Sequence, residues 1–214
     1  MNPTAHLSLA TLPPEMLADL RAHYAQPPRA YHNFEHVQEV LAQFAAVAAG
    51  PGWQQPDEVV LALLYHDAIY EAGRKDNEAR SAELAAAAIA RWLPAQAVDA
   101  QRVQQLILLT ASHGHLAGES LDADAALFVD CDMAILAASA ERFDAYDREI
   151  AQEYRGKLPQ WMFRHYRRRF LRGLLDSAAI YVSPWFRERC EAAARANIAR
   201  CLAGRSALKS SAGR

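Results

Sequence analysis

The sequence has few of the features that mark secreted or membrane-spanning proteins. It contains only three cysteines, Cys131, Cys190 and Cys201, and no C-x-x-C pair. An odd number of widely spaced cysteines is typical of a reducing compartment. No apolar run approaches the roughly 20 residues that cross a bilayer. The first residues also lack the basic and apolar regions of a signal peptide. We therefore expect a cytoplasmic protein that does not span a membrane.

An excess of charge of one sign is also absent. The chain has 23 basic residues (Lys and Arg) and 25 acidic residues, which gives a net charge of -2. This balance provides no overall attraction to nucleic acid or to an anionic membrane, so any phosphate binding depends on local basic clusters. Nucleic acid is therefore not an expected partner. Hydrophobic residues make up 52% of the 214 positions, enough for one sizeable core.

Alternation of β-branched residues is missing as well, apart from a few positions near 180–182. Helical signals occupy the rest of the chain. One clear case begins at Asn33, a good N-cap residue, and continues with apolar residues at helical spacing, namely Val37, Val40, Leu41, Phe44 and Val47. The patterns predict an all-α, single-domain bundle of about eight or nine helices.

The predicted helices also suggest how the chain is organised. An N-terminal helix within residues 1–28 should pack on a helical domain at 29–204. Gly and polar residues at 114–119 indicate a loop. The last helix should end near Ala203, and the small polar residues of 205–214 predict a flexible tail.

Three separated pieces of sequence carry residues suited to metal binding. They are His36, the doublet His66–Asp67 and Asp132. The doublet follows the apolar run 59–65, where an ionisable pair is costly to bury without compensation. Taken singly, a histidine beside apolar residues is more often a core or cap residue. The joint occurrence of two imidazoles and two carboxylates favours a site for one divalent metal.

This ligand set is mixed in nitrogen and oxygen. Such a set suits Mn, Fe, Ni, Co or Zn better than Ca and leaves Mg open. Because neighbouring residues of a helix project about 100° apart, both His66 and Asp67 can reach one ion only at a helix end or in a groove between helices. Metal sites between the helices of a bundle are well known.

The ordered combination of motifs resembles the HD superfamily of metal-dependent phosphohydrolases. It is most similar to the small stand-alone group described as predicted HD-superfamily phosphohydrolases. The similar segments are R-x-Y-H-N-x-x-H at 29–36, H-D-x-x-Y at 66–70, N-E-x-x-S-A at 77–82, D-x-D-M-x-I-L at 130–136, and E-x-x-A-R-x-N at 191–197. The family's D-x-D segment has Leu where this chain has Met133. Together the segments span most of the chain.

The resemblance implies an HD-type helical fold and a set of metal ligands, namely His36, His66, Asp67 and Asp132. Asp130 is the competing aspartate for the last position. The two aspartates project about 200° apart on a helix, so we expect only one to face the metal. We choose Asp132 because the family's ligand aspartate directly precedes an apolar run, and leave Asp130 as the alternative or as a capping partner.

The residues that assist proton transfer are less clear from the sequence. Some members of the family have a catalytic acid three positions after the doublet, where this chain has Tyr70. Glu71, His113 and the metal-binding Asp67 form the expected catalytic group, although Glu71 can equally be a solvated residue. His113 can also bind substrate or a second metal. His32 can bind a substrate phosphate, assist a ligand carboxylate, or serve only as a turn residue.

Basic residues at two places are candidates for phosphate binding. Arg74 and Lys75 lie in the segment after the doublet. Arg168 lies in a later arginine run and matches a recurrent arginine of the family; a guanidinium group also suits bidentate phosphate recognition. By the same resemblance, Asn77 and Glu78 belong to the substrate site, although Asn77 can also be a simple N-cap.

Aromatic residues are interleaved with this arginine run. Their helical spacing fits core packing better than the stacking of nucleic-acid bases. These residues are Trp161, Phe163, Tyr166 and Phe170.

The expected function is hydrolysis of a phosphoester, most plausibly a nucleotide, by water that a divalent metal activates. Two other classes stay open. One is a regulatory module that binds a metal and a nucleotide without turnover. The other is a di-iron oxygenase, which needs ligands beyond the four assigned above. A second metal and a homodimer also stay open.

Overall fold

The structure, a computed structural model, describes residues 6–112 and 121–211, with side chains up to residue 204. These residues form nine α-helices and no strand, which confirms the predicted all-α bundle of eight or nine helices. The helices are α1 (Pro14–Tyr24), α2 (Phe34–Ala48), α3 (Pro56–Tyr65), α4 (Asn77–Trp92), α5 (Ala100–Leu109), α6 (Ala123–Met133), α7 (Ala140–Glu153), α8 (Gln160–Asp176) and α9 (Pro184–Ser211).

Helix α3 is the central element. Its residues from Glu58 to Tyr65 are all buried, and a helix that is apolar around its circumference needs neighbours on every side. Helices α2, α4, α5 and α6 provide those neighbours. The N-terminal helix adds a further contact, because the hydroxyl of Tyr24 donates a hydrogen bond to the carbonyl of Leu64 (3.0 Å). Buried apolar residues of all nine helices join in one core.

Two carboxylates of α6 fix the ends of other helices. Asp124 is 2% exposed and accepts hydrogen bonds from the backbone N–H groups of Gln54 and Gln55 at the start of α3. Because Asp132 lies two turns further along α6, this contact aligns α6 with α3 and brings Asp132 towards the end of α3. Asp130 accepts from Val182 N (2.8 Å) and Ser183 N (2.7 Å), just before α9.

Two expectations from the sequence need correction. Helix α9 continues to Ser211, whereas the sequence predicted that this helix ends near Ala203. The core-packing interpretation of the aromatic residues in α8 holds for Phe163 alone, which is 8% exposed; Trp161, Tyr166 and Phe170 are 69%, 53% and 36% exposed.

The predicted loop at 114–119 lies outside the described residues. Among the described helices, none combines the length and apolarity needed to cross a bilayer.

Removing the Asp124 carboxylate should destabilise the fold. Asp124→Ala removes a buried carboxylate that accepts two backbone hydrogen bonds. Hydrogen bonds to charged groups are among the stronger ones, and we expect the free energy of unfolding to fall by about 1–3 kcal/mol. Urea denaturation followed by circular dichroism measures the change. Asp144→Ala is the matched control, because Asp144 forms a half-exposed ion pair with Arg200, and such pairs contribute less than about 1 kcal/mol. Equal losses in the two variants would contradict the role given to Asp124.

Candidate metal centre

The end of α3 positions the His66–Asp67 doublet. His66 is the C-cap residue of this helix, and its ring is 1% exposed. The next two carbonyl groups are held by Arg29, whose guanidinium donates to Asp67 O (2.7 Å) and Ala68 O (2.9 Å). The same guanidinium donates to His32 O (3.0 Å). Arg29 therefore ties the segment before α2 to the segment after α3, and the two histidine-bearing pieces meet.

Four polar side chains converge at this point. The Nε2 atoms of His36 and His66 are 3.0 Å apart. Asp67 Oδ2 lies 3.1 Å from His66 Nε2 and 3.7 Å from His36 Nε2. Asp132 Oδ1 lies 3.1 Å from His36 Nε2 and 3.5 Å from His66 Nε2.

These spacings fit atoms that share one ion. Ligand atoms each about 2.1 Å from a common metal lie about 3.0–3.4 Å from one another. The group of His36, His66 and Asp67 can therefore hold a metal ion, and Asp132 brings a second carboxylate within reach of both rings.

The hydrogen bond on the far side of the His66 ring sets its tautomer. Nδ1 lies 2.8 Å from the carbonyl oxygen of Leu63. Because a carbonyl oxygen only accepts, Nδ1 must carry the proton, and a neutral His66 therefore presents the lone pair of Nε2 to the cluster. His36 has no such bond within the described residues: its Nδ1 is buried without a partner, and its ring lies 4.6 Å from that of Tyr31, centroid to centroid.

Electrostatics show that the cluster favours positive charge. Burial opposes protonation of His66, but the carboxylates of Asp67 and Asp132 outweigh burial and hold its pKa well above the ordinary value. Burial also opposes ionisation of Asp67, but His66 and His32 hold the pKa of its carboxyl below the usual range. A divalent cation supplies the same positive charge and competes with the proton for His66.

The two aspartates of α6 take different positions. Asp132 faces the histidines, whereas Asp130 is 1% exposed and bonded to the backbone before α9. Burial raises the pKa of Asp130 to about 6, although hydrogen bonds from the Ser183 side chain and from the N–H groups of Val182 and Ser183 oppose the increase. The geometry gives Asp130 the position of a capping partner.

His32 lies beside the cluster and is fixed from two sides. Its Nδ1 is 2.6 Å from Glu153 Oε2, and its ring stacks on Tyr70 at 3.8 Å between centroids. Its Nε2 lies 4.0 Å from Asp67 Oδ2. Glu153 is 1% exposed and also accepts from the backbone N–H groups of Tyr31 and His32. Burial lowers the pKa of His32, but Asp67 and Glu153 outweigh it and raise that pKa.

The cluster opens into a cavity of about 470 Å³, a size typical of small-molecule sites. Asp67, Asp132 and His32 lie at its polar end, together with the half-buried Glu78. The other walls are largely aromatic and aliphatic, and they come mainly from α7, α8 and the 3-10 segment Ala134–Ala137, with Tyr31, Tyr70, Tyr146, Tyr154, Phe163, Tyr166 and Phe170 as the aromatic members.

Several residues expected at the site lie elsewhere. The exposed side chain of Glu71 binds Lys157 (2.8 Å) and Arg74 (3.6 Å) and does not border the cavity. Arg74 also pairs with Asp76 (2.7 Å), and Lys75 is exposed.

Two more of the expected residues have structural contacts, and one cannot be placed. The Asn77 amide closes the preceding turn through two hydrogen bonds to the backbone of Glu71. Arg168 donates to the carbonyl of Leu202 (3.2 Å), and it is Arg167 that borders the cavity. His113 lies outside the described residues.

The sequence interpretation overlooked three residues that shape the site. Arg29 and Tyr70 belong to the quoted motifs, so their position beside His32 and His66–Asp67 was a usable signal. Glu153 had no such signal, because 121 residues separate it from His32.

The chain matches no protein-family model, no curated protein and no solved structure.

Metal content is the first measurable consequence of this geometry. Protein purified without chelator or histidine tag should carry about one divalent transition metal per chain by mass spectrometry. Asp67→Ala removes a charged ligand and should lower the metal affinity by at least about 10-fold. Asp176→Ala, an exposed aspartate at the end of α8, should keep the metal. Absence of metal from the native protein even after reconstitution would contradict the site, and two metals per chain would bring His113 forward as a further ligand.

Proposed function

We propose that this protein is a metal-dependent hydrolase of phosphoesters, with a nucleotide as the favoured class of substrate. The observation that supports the proposal most strongly is the convergence of two imidazole nitrogens and two carboxylate oxygens, each within 3.0–3.7 Å of a neighbour, beside a cavity that both carboxylates border. His36, His66, Asp67 and Asp132 would hold the ion. The motifs that resemble those of the HD superfamily point to the same class.

A bound divalent ion would supply positive charge for phosphoryl oxygens and lower the pKa of a water molecule. The residues of the chain provide the remaining functions. Asp67 and Asp132 border the cavity and would leave one side of the ion open to substrate. With an ion bound, a neutral His66 would direct its Nε2 lone pair at the cluster, because Leu63 O holds the proton on the opposite nitrogen.

His32 is the best candidate for a group that binds or protonates the substrate. Glu153 orients its ring through Nδ1, and Tyr70 supports its face. His32 borders the cavity, and its Nε2 lies 4.0 Å from Asp67 Oδ2. A cationic imidazole in this position would donate to a phosphoryl or leaving oxygen. His32 takes the proton-transfer role that the sequence suggested for Glu71, because the exposed side chain of Glu71 is bound to Lys157. A role for His113 stays a prediction.

The cavity walls favour a substrate whose leaving group contains an aromatic ring. Seven aromatic side chains border it, and rings of this kind offer stacking surfaces to a flat heterocycle. A nucleotide combines such a heterocycle with a phosphoester, which matches the two ends of the cavity.

A hydrolysis screen tests the proposed function directly. The protein, reconstituted with Mn, is incubated with a panel of phosphomonoesters and nucleotides, and released phosphate is measured. We expect turnover with at least one compound and a loss of at least about 100-fold in His66→Ala, since a metal contributes several kcal/mol to the transition state. The exposed His165 provides a control in His165→Ala. Equal activity in His66→Ala and the native protein would refute the proposal, and tight nucleotide binding without product would favour the regulatory module.

The role of Glu153 can be separated from that of the ion. Glu153→Gln keeps the acceptor oxygen for the backbone N–H groups of Tyr31 and His32 but removes the charge beside His32 Nδ1. We expect kcat to fall roughly 10–100-fold, as for other partners that orient a functional histidine, with metal content unchanged. Glu149→Gln on the same helix, where Glu149 pairs with Arg142, should keep native kcat. Loss of metal in Glu153→Gln would mean that Glu153 acts through the fold of the site.

A further inference from the structure

A buried arginine lies in the wall of the cavity that also contains Asp67 and Asp132. Arg167, on α8, is the guanidinium among the described residues that border this cavity. Its side chain is 8% exposed, and its Nε donates to Asp147 Oδ1 at 3.1 Å. Long charged side chains are seldom this buried unless they are paired. The ion pair with Asp147 accounts for one side of the guanidinium only.

Two aromatic rings restrict the same group further. The guanidinium carbon lies 4.8 Å from the ring centroid of Tyr146 and 5.5 Å from that of Phe170. Guanidinium groups bind aromatic faces through cation–π and stacking contacts. With Asp147 at Nε and a ring from each of two helices, the group is held in a defined orientation before any ligand binds.

One donor of this fixed group has no acceptor. Nη2 of Arg167 is buried and has no hydrogen-bond partner in the part of the chain that the structure describes. Buried polar groups are nearly always hydrogen-bonded, and an exception calls for an explanation. A ligand in the cavity that Arg167 borders would provide the acceptor.

Arg167 lies away from the proposed metal ligands. Tyr146 contacts Tyr31 (4.7 Å between centroids), and Tyr31 contacts His36 (4.6 Å). Two aromatic rings thus stand in sequence between the guanidinium and the histidine cluster. A ligand whose phosphoester lies at the cluster would meet Arg167 with a different part of the molecule.

The charge of Asp147 indicates what that part is. Its carboxylate forms an ion pair with Arg167. Among the described residues, no other Lys or Arg side chain borders the cavity, so a second full negative charge from the ligand would meet a guanidinium that is already paired. A neutral acceptor, such as a ring carbonyl oxygen, suits the remaining N–H groups better. The exposed rings of Tyr166 and Phe170 border the same cavity and offer a surface to a flat ring.

We propose that Arg167 determines substrate specificity by donating a hydrogen bond from Nη2 to a neutral carbonyl oxygen on the flat leaving group of the phosphoester. The inference rests on the proposed function, which supplies the hydrolysis of the phosphoester. It adds that Arg167 distinguishes a phosphoester that carries a heterocycle with a carbonyl group from a phosphoester that lacks such a ring. A site built to hydrogen-bond a substrate group discriminates strongly against analogues that lack the group.

The test compares substrates that share one phosphoester and differ in the ring. Uridine and guanosine 5′-monophosphates each carry a ring carbonyl, and ribose 5-phosphate carries no ring of this kind. For the native protein we expect kcat/KM to be at least about 10-fold higher for one of the two nucleotides than for ribose 5-phosphate. Arg167→Lys keeps a positive charge for Asp147 but removes the guanidinium donors. It should erase most of this preference through KM, with ribose 5-phosphate turnover within about 2-fold of native.

A control and a second variant test whether the loss of preference in Arg167→Lys comes from a disturbed fold instead. Arg169→Lys changes an exposed arginine of the same helix and should keep the native preference. Arg167→Met combined with Asp147→Asn removes both charges of the pair and should lose the preference as Arg167→Lys does. An equal loss on all three compounds, or a preference kept in Arg167→Lys, would overturn the inference.

Binding separates this inference from the proposed function. If the native protein hydrolyses none of the compounds, the proposed function fails, and calorimetry with the same three compounds still tests Arg167. Tighter binding of a nucleotide than of ribose 5-phosphate, lost in Arg167→Lys, would support the role of Arg167. Equal affinity of the native protein for all three compounds, or binding of none, would overturn it.

Discussion

Two carboxylates beside the C-terminal end of the buried helix α3 are the constraint on which the rest of the structure depends. Asp67 and Asp132 are 16% and 15% exposed, and they lie against His36 and His66, each 1% exposed. Negative charge in such a place is costly unless a cation compensates it. Arg29 gives its hydrogen bonds to backbone carbonyls rather than to these carboxylates. Among the described residues, His36 and His66 are the groups in contact with both carboxylates that can carry the compensating positive charge, and an ion at their centre could carry it instead. The raised pKa of His66 has this cause.

Helix α6 shows how the fold meets this constraint. Three of its aspartates have different tasks: Asp124 binds the backbone at the start of α3, Asp130 binds the backbone before α9, and Asp132 faces the histidines. The first two contacts fix the position and rotation of α6 between its neighbours. The third aspartate consequently reaches the end of α3, where the doublet lies. A change in the rotation of α6 would move all three carboxylates together, so the geometry of the site and the packing of the helices are coupled.

Local signals in the sequence predicted much of the fold but only part of the site. Asn33 caps α2 as expected: its side chain accepts a hydrogen bond from Glu35 N. Glu71 was a natural candidate next to the doublet, yet the chain has left α3 by that point and the side chain turns to Lys157. Glu153 could not be identified, because its relation to His32 spans 121 residues and depends on how α7 packs. The prediction that the four aromatic residues of α8 pack in the core was wrong for three of them, for another reason. Helical spacing predicts that residues share a face, and only tertiary packing decides whether that face is buried.

The buried face of α8 contains a residue that packing alone does not explain. The buried residues of this helix are Phe163, Arg167, Leu171 and Leu174. The other three are apolar, so an aliphatic residue would suit the position of Arg167. Replacing a buried ion pair by apolar residues is often neutral or stabilising, which makes Arg167 and Asp147 a poor solution if packing alone matters. The same helix leaves Tyr166 and Phe170 substantially exposed at the cavity. An unsatisfied donor and uncovered rings in one wall are each unfavourable in the free protein, and a flat ligand with an acceptor oxygen would relieve both at once.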